Sequence, residues 1–193
     1  AVVTIKVFDS ELDKHFLVEL AMQQLADDTW QITKINNLKT LINERDQALQ
    51  NKLAEINAPV QKQIDDAVAV SPQKIFITSA PYSGVIRLLE ADIQLTNNAV
   101  KELQYFTGVL ELYNADNELF YSGNFASSKD LSAKQTAVYK FNWELNPFLT
   151  DDAKVMNSDF SKVTWKASLS SLAFADGSTI ELLTQLPVKA ATK

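Results

Sequence analysis

The chain has no cysteine, one histidine, four glycines and five prolines in 193 residues. Each shortage removes a class of chemistry. Without cysteine there is no disulfide frame, no thiol nucleophile and no zinc site of the cysteine type. The same absence fits an exported bacterial protein that folds without disulfides and a cytosolic one alike. A single histidine, His15, cannot build a multi-histidine metal centre. A Ser-His-Asp triad would have to use it, and no Gly-x-Ser-x-Gly elbow is present. His15 precedes Phe16 and reads as a surface or boundary residue. The glycines are too few and too scattered to cradle phosphates, and neither a Walker loop nor a dinucleotide fingerprint occurs. No run of about 18 or more apolar residues is available to span a membrane. Nor is there a stretch dense in Lys and Arg. With a net charge of −6, the chain does not fit a general binder of nucleic acid or anionic lipid, which needs a cationic face.

What is present is an ordinary globular composition, 46% hydrophobic and 22% charged, enough for a real core. The length suits one large domain or two small ones. The clearest pattern is Ala137-Val138-Tyr139-Lys140-Phe141-Asn142-Trp143-Glu144-Leu145. Ala137, Tyr139, Phe141, Trp143 and Leu145 share one parity, and the polar residues take the other, as a half-buried strand requires. Trp143 is expected at the centre of the core, near Trp165 or Leu110.

The first third reads as helical. Asp9 or Ser10 can cap free backbone N–H groups, and Glu11 and Asp13 suit a helix N-terminus. Leu17, Leu20, Ala21 and Leu25 line one helical face. Ile35, Leu38, Ile42, Leu49 and Ile56 form a seam interrupted by Arg45, which predicts a second helix from about Trp30 to Ile56. Asn57-Ala58-Pro59 should stop or kink it. Val60, Ile64, Ala67 and Val68 then continue to Val70, and Ser71-Pro72 ends the helical part. The opening Ala1-Val2-Val3-Thr4-Ile5-Lys6-Val7-Phe8 suits a short strand, or the stub of a removed lipid or membrane anchor. A chain opening on Ala1 rather than Met is expected to be processed.

From Lys74 the pattern turns to strands. Lys74 to Thr78 is a short β run, and Ser79-Ala80-Pro81-Tyr82-Ser83-Gly84 is the densest turn signal. Leu89, Ala91, Ile93 and Leu95 alternate, Thr96-Asn97-Asn98 turns, and a strand over 100–113 has a natural bulge site at Gly108. Asn114-Ala115-Asp116-Asn117 predicts a hairpin turn. Asn146-Pro147-Phe148, which matches a short endocytic recognition tripeptide, is expected instead to end a strand and pack Phe148. A short helix suits 149–156. A parity slip at Ser170-Ser171 predicts a bulge, and Asp176-Gly177 a two-residue hairpin. The tail after Pro187 should be loose. The fold class is therefore α+β: a helical hairpin or three-helix region over 1–72, then an antiparallel immunoglobulin-like β-sandwich over 73–193. A fragment from about Gly84 should fold alone.

Within that sandwich, Gly108-Val109-Leu110-Glu111-Leu112-Tyr113-Asn114 resembles the strand end that names the bacterial FxLYD domain family. Leu112 and Tyr113 match, while Leu110 stands for Phe and Asn114 for Asp. Asn97-Asn98 and Leu131-Ser132-Ala133 sit where that family has turns, so the resemblance covers roughly 85–145. It implies an extracytoplasmic, often lipoprotein-borne module without known catalytic residues.

Carboxylates remain as candidate chemistry. Asp116 with Glu118, Asp151 with Asp152, and Asp159 are the places where an acid–base pair could form. Asn114, Asp116 and Glu118 could hold a weak calcium ion, and Asp9, Glu11 and Asp13 resemble part of a calcium loop without its glycine or closing glutamate. All of these suit turn and cap duty better, so no catalytic, cofactor or metal residue is assigned. Tyr105-Phe106 and Phe120-Tyr121 place rings on both strand faces, which calls for helices, a protein partner or a small ligand on the outer side. The expected function is a non-catalytic accessory or binding protein of the bacterial cell envelope, periplasmic or envelope-bound, with a protein partner. The alternatives are an assembly factor gripping a partner through its helical hairpin, and a hydrolase using paired carboxylates.

Overall fold

The Asp9 carboxylate accepts the backbone N–H groups of Glu11 at 3.0 Å and Leu12 at 3.1 Å. Such bonds can cap a helix or close a turn. Here they close a turn. Asp13 takes a left-handed φ of 53°, and β2 (Lys14–Gln24) returns antiparallel to β1 (Val2–Asp9). A second reversal uses Asp28 at φ 61°, with the Asp27 carboxylate accepting both the N–H and the hydroxyl of Thr29. The strand β3 (Trp30–Ile35) then pairs with β2, with a bulge at Ala21/Met22.

These observations come from a computed structural model that describes residues 1–187; the tail expected to be loose lies outside them. They overturn the helical hairpin or three-helix region over 1–72. In its place stand a three-stranded sheet, ordered β1-β2-β3, and a single long helix, α1 (Leu38–Ala67). The local spacing was ambiguous. Leu17, Leu20 and Ala21 fit a helical face, but Phe16, Val18 and Leu20 fit alternation equally well, and these three are buried. Pairing with the β-branched run Val2 to Val7 decides the matter, and local propensity does not weigh such a contact.

The helix α1 starts later than its seam suggested and runs through Pro59 without ending. Proline there removes one donor to the preceding turn, and the remaining bonds carry the helix. Its face packs on a sheet, not on another helix. Leu41, Ala48, Leu49, Leu53 and Ile56 cover Leu12, Phe16 and Leu186. Arg45, the residue that interrupts the seam, donates to Asp9 at 2.8 Å and Glu11 at 2.9 Å. Hydrogen bonding from the Leu12 N–H, helped by Arg45, holds the Asp9 carboxyl below its ordinary value. Asn57 exchanges two hydrogen bonds with the backbone of Leu183. Among the described residues, Ala1–Pro59 with 183–187 forms one compact unit, and Val60–Leu182 forms another.

The second unit is a β-sandwich, as the alternation predicted. One sheet is ordered β4-β5-β8 and the other β10-β9-β6-β7. The strands are β4 (Val68–Ser79), β5 (Arg87–Asn97), β6 (Leu103–Tyr113), β7 (Leu119–Ser127), β8 (Thr136–Leu145), β9 (Thr164–Phe174) and β10 (Thr179–Glu181), with a short helix α2 (Thr150–Met156) after β8. Leu89, Ala91, Ile93 and Leu95 from one sheet and Phe106, Leu110, Leu112 and Leu169 from the other are buried together in one core. Ile64 and Val68, where α1 gives way to β4, belong to the same core. Ser170 is the extra residue in the β9 register opposite Thr107 and Gly108, so both bulge signals mark one place. Gly108 is required there by close approach, since a Cβ would come within 2.3 Å of the Phe125 ring and 2.4 Å of the Ser168 carbonyl oxygen. Gly177 turns the last hairpin at φ 82°.

Three strand-level expectations need correction. The short run at Lys74 is part of the twelve-residue β4, hydrogen-bonded along β5 with a bulge at Pro72/Lys74; a fragment from Gly84 would lack that strand. Phe148 does not pack: it is 85% exposed beyond the end of β8. Trp143 lies at the rim of the core, not its centre. Its indole N–H donates across the sandwich to the Asn124 carbonyl at 2.7 Å, and its ring lies on Gly123, where a Cβ would sit 2.7 Å from Nε1. Trp143→Ala is therefore expected to cost about 2 kcal/mol in urea unfolding, below the range for a fully buried Trp. A loss of twice that would restore Trp143 to the centre.

Candidate functional site

The carboxylates that sequence marked as possible acid–base pairs gather near the β6–β7 hairpin and α2. Asn114 organises the hairpin. Its Oδ1 accepts the N–H groups of Asp116 and Glu118, and its Nδ2 donates to Glu118 at 3.0 Å. Asn117 takes the left-handed φ of the turn. Asp151 pairs with Lys154 at 2.8 Å, and Asp152 accepts the Asn146 N–H at 2.9 Å. Asp159 accepts the hydroxyl and N–H of Ser161. Those bonds, the Ser161 hydroxyl first, lower the Asp159 carboxyl, the opposite of what a general acid near neutral pH needs.

Two open clefts run beside these groups. One, of about 440 Å³, is lined by Asn114, Phe120, Lys154, Asp159, Lys162 and Val163. The other, of about 470 Å³, is lined by residues 119–122 with Asp151 and Asp152. Burial, and then the Asp152 charge, push the Tyr121 hydroxyl up. Asp116 and Glu118 line neither cleft. Among the described residues no group of three or more His, Asp or Glu side chains is placed to hold a metal ion. Asp9 of the calcium-like spacing is taken by Arg45, and His15 is exposed with its ring 4.9 Å from that of Phe8.

The outer rings have a local explanation. Phe120 and Tyr121 are half-buried against the sandwich core, and α2 lies beside β7. Tyr105 stays largely exposed.

The feature sequence reasoning missed lies on the first unit. Val3, Ile5 and Val7 stand opposite Leu20, Val18 and Phe16 and share their face. Val2, Phe8 and Leu17 lie on the other face. Yet Val2, Val3, Ile5, Val7, Phe8 and Leu17 are each at least 40% exposed. Trp30 and Ile32 of β3 are exposed as well. Of twenty large apolar side chains left exposed among the described residues, eleven lie within the first 42 positions. The β-branched opening run was the signal, but a helical reading of its partner strand hid the sheet. Among the described residues no helix is long and apolar enough to cross a membrane.

No family model matches the chain, and no curated protein matches it. Solved structures show only distant likeness. A Northeast Structural Genomics Consortium target, SoR45, is 12% identical, with 60% of this chain and 80% of that chain covered, at a TM-score of 0.38. A protein from Archaeoglobus fulgidus is 13% identical, with 55% and 86% covered, at 0.32. A β-glucuronidase 2 from Bacteroides uniformis is 11% identical, with 60% of this chain and 12% of that chain covered, at 0.28. At these TM-scores the likeness carries no argument about fold or activity.

Proposed function

We propose that this is a non-catalytic accessory or binding protein of the bacterial cell envelope, which meets a protein partner through the sheet of its first unit. The observation that carries the reading is the concentration of exposed apolar side chains on β1, β2 and β3. Exposed apolar side chains beyond the scattered few of an ordinary surface mark association sites in soluble proteins, and Phe8 and Leu17 share one face of this sheet. The grip belongs to a sheet, since the helical hairpin once expected to provide it is absent. The carboxylates offer less: each candidate with a hydrogen bond or ion pair described above serves a turn, a strand end or a helix. The envelope assignment draws on the FxLYD-like stretch over 85–145.

A photo-crosslinking residue at Leu17 in the native host is expected to give a discrete adduct. The same residue at Thr107, on the outer face of the sandwich, should give none, and Phe8→Asp should suppress the Leu17 adduct. Fractionation of the same cells should place the protein outside the cytoplasm. Equal labelling from both positions, or insensitivity to Phe8→Asp, would remove the partner surface. A cytoplasmic fraction would remove the envelope role.

A further inference from the structure

We infer that β1 pairs antiparallel with β1 of a second copy, joining two three-stranded sheets into one of six. The inference rests on the reading of this sheet as a contact surface and names one occupant for its edge. A strand at the edge of a sheet presents unpaired N–H and C=O groups, and proteins commonly blunt such edges with proline, bulges, charge or short length. The other edge strands here carry such devices. β3 has six residues and pairs through a bulge. β4 contains Pro72 and a bulge, β7 pairs through a bulge, β8 carries Lys140 and Glu144, and β10 has three residues. By contrast, β1 runs eight residues in unbroken register, with no proline or glycine and Lys6 as its one charge before Asp9.

Among the described residues, hydrogen-bond geometry fixes which β1 groups point away from β2. Ala1 and Met22 exchange both bonds at 2.8 Å. Glu19, opposite Thr4, turns its N–H to Asn37 and its carbonyl to Asn36, away from β1. Bonded and non-bonded pairs alternate in an antiparallel ladder. Val3, Ile5 and Val7 therefore bond β2, while Val2, Thr4, Lys6 and Phe8 direct their backbone groups outward. One two-fold register uses all four. With the axis at Ile5, Thr4 bonds Lys6 of the partner subunit, and Val2 bonds Phe8 of the partner subunit. Val3 then faces the partner's Val7, and Ile5 faces the partner's Ile5. This register also keeps the two Lys6 charges from standing directly opposite. A shift of two residues one way sets Lys6 against Lys6, and the other way leaves Phe8 unpaired. The self-complementary edge is the argument for a second copy, because a two-fold interface uses the same patch twice.

Sedimentation of the full chain should show a concentration-dependent monomer–dimer equilibrium. Thr4→Pro deletes an outward N–H and leaves the β1–β2 bonds in place. Two-fold symmetry doubles the loss, so the dissociation constant should rise roughly tenfold or more. Because the chain has no cysteine, single thiols report the register cleanly. Ile5→Cys should cross-link into a covalent dimer on mild oxidation, and Val3→Cys should not. A monomer at every concentration, a dimer indifferent to Thr4→Pro, or equal cross-linking of both thiols would overturn the inference. A position-specific adduct from Leu17 on a protein that stays monomeric would do the same and leave the partner surface standing.

Discussion

Phe106→Ala is expected to lower the unfolding free energy by about 4 kcal/mol, a large share of the roughly 5 to 15 typical of a domain. Phe106 is fully buried on β6, and it is where the two sheets meet. Its ring stands edge-on to Tyr139 at 5.0 Å and Phe141 at 6.3 Å, both from β8 of the facing sheet, and to Phe125 at 6.5 Å from its own. Removal leaves a cavity walled by rings that belong to different strands. Those strands are held by ladders and cannot collapse together cheaply. The loss should therefore reach the upper part of the range for such truncations. Tyr105, the preceding residue, is 42% exposed, and Tyr105→Ala should cost far less. Urea unfolding of the two variants makes the comparison. Equal losses would mean that the face assignment of β6 is wrong.

The second large effect is expected at a polar residue. Asn97 is fully buried at the end of β5. Its side-chain amide donates to the carbonyls of Lys101 at 2.8 Å, Leu131 at 2.9 Å and Ser132 at 3.3 Å, and its oxygen accepts the Ala99 N–H at 3.0 Å. One side chain thus ties the β5–β6 connection to the loop ahead of β8. Asn97→Ala leaves several of those backbone groups without this partner. The expected cost is about 3 kcal/mol. Asn97→Asp should be no better, because a carboxylate cannot donate to three carbonyls. The neighbouring Asn98 is exposed, and Asn98→Ala is the control. Hydrogen exchange at Leu131, whose N–H bonds the Leu103 carbonyl at 2.8 Å, should accelerate only in the Asn97 variants. An Asn97→Ala melt that matches Asn98→Ala would remove the tether.

These two residues show how differently a sequence discloses its parts. The sequence places the rings of Tyr105-Phe106 on both strand faces and leaves open which of the two meets the core; a register shift between Leu103 and Tyr105 turns Phe106 inward. Asn97 read as a turn residue, one of a pair. Asparagine next to a turn carries the same local signal whether its amide faces water or three carbonyls from elsewhere in the chain. The carboxylates show the same degeneracy. Asp9 was read as a helix cap, and it does accept the N–H groups two and three residues on. The bond was right and the element was wrong, since that bond serves a helix start and a tight turn equally.

By itself, the sequence determined a β-sandwich from period-two alternation over the later strands, hairpins at Asn114 to Asn117 and at Asp176-Gly177 from turn residues, the Ser170 bulge from a parity slip, and a short helix before β9. It also determined what the chain lacks the residues to do. Tertiary structure alone decided the rest. Phe16 to Ala21 satisfied helical and strand periods together, and only pairing with β1 chose between them. Pro59 signalled a stop or a kink, and only the structure shows that the helix continues through it. Trp143 lay on the correct parity, but β8 is an edge strand, so its indole reached the rim, over Gly123, and not the centre. The exposed apolar sheet followed from that same pairing. Exposure is a property of what neighbours leave uncovered, and one-dimensional spacing records neighbours along the chain but not across it.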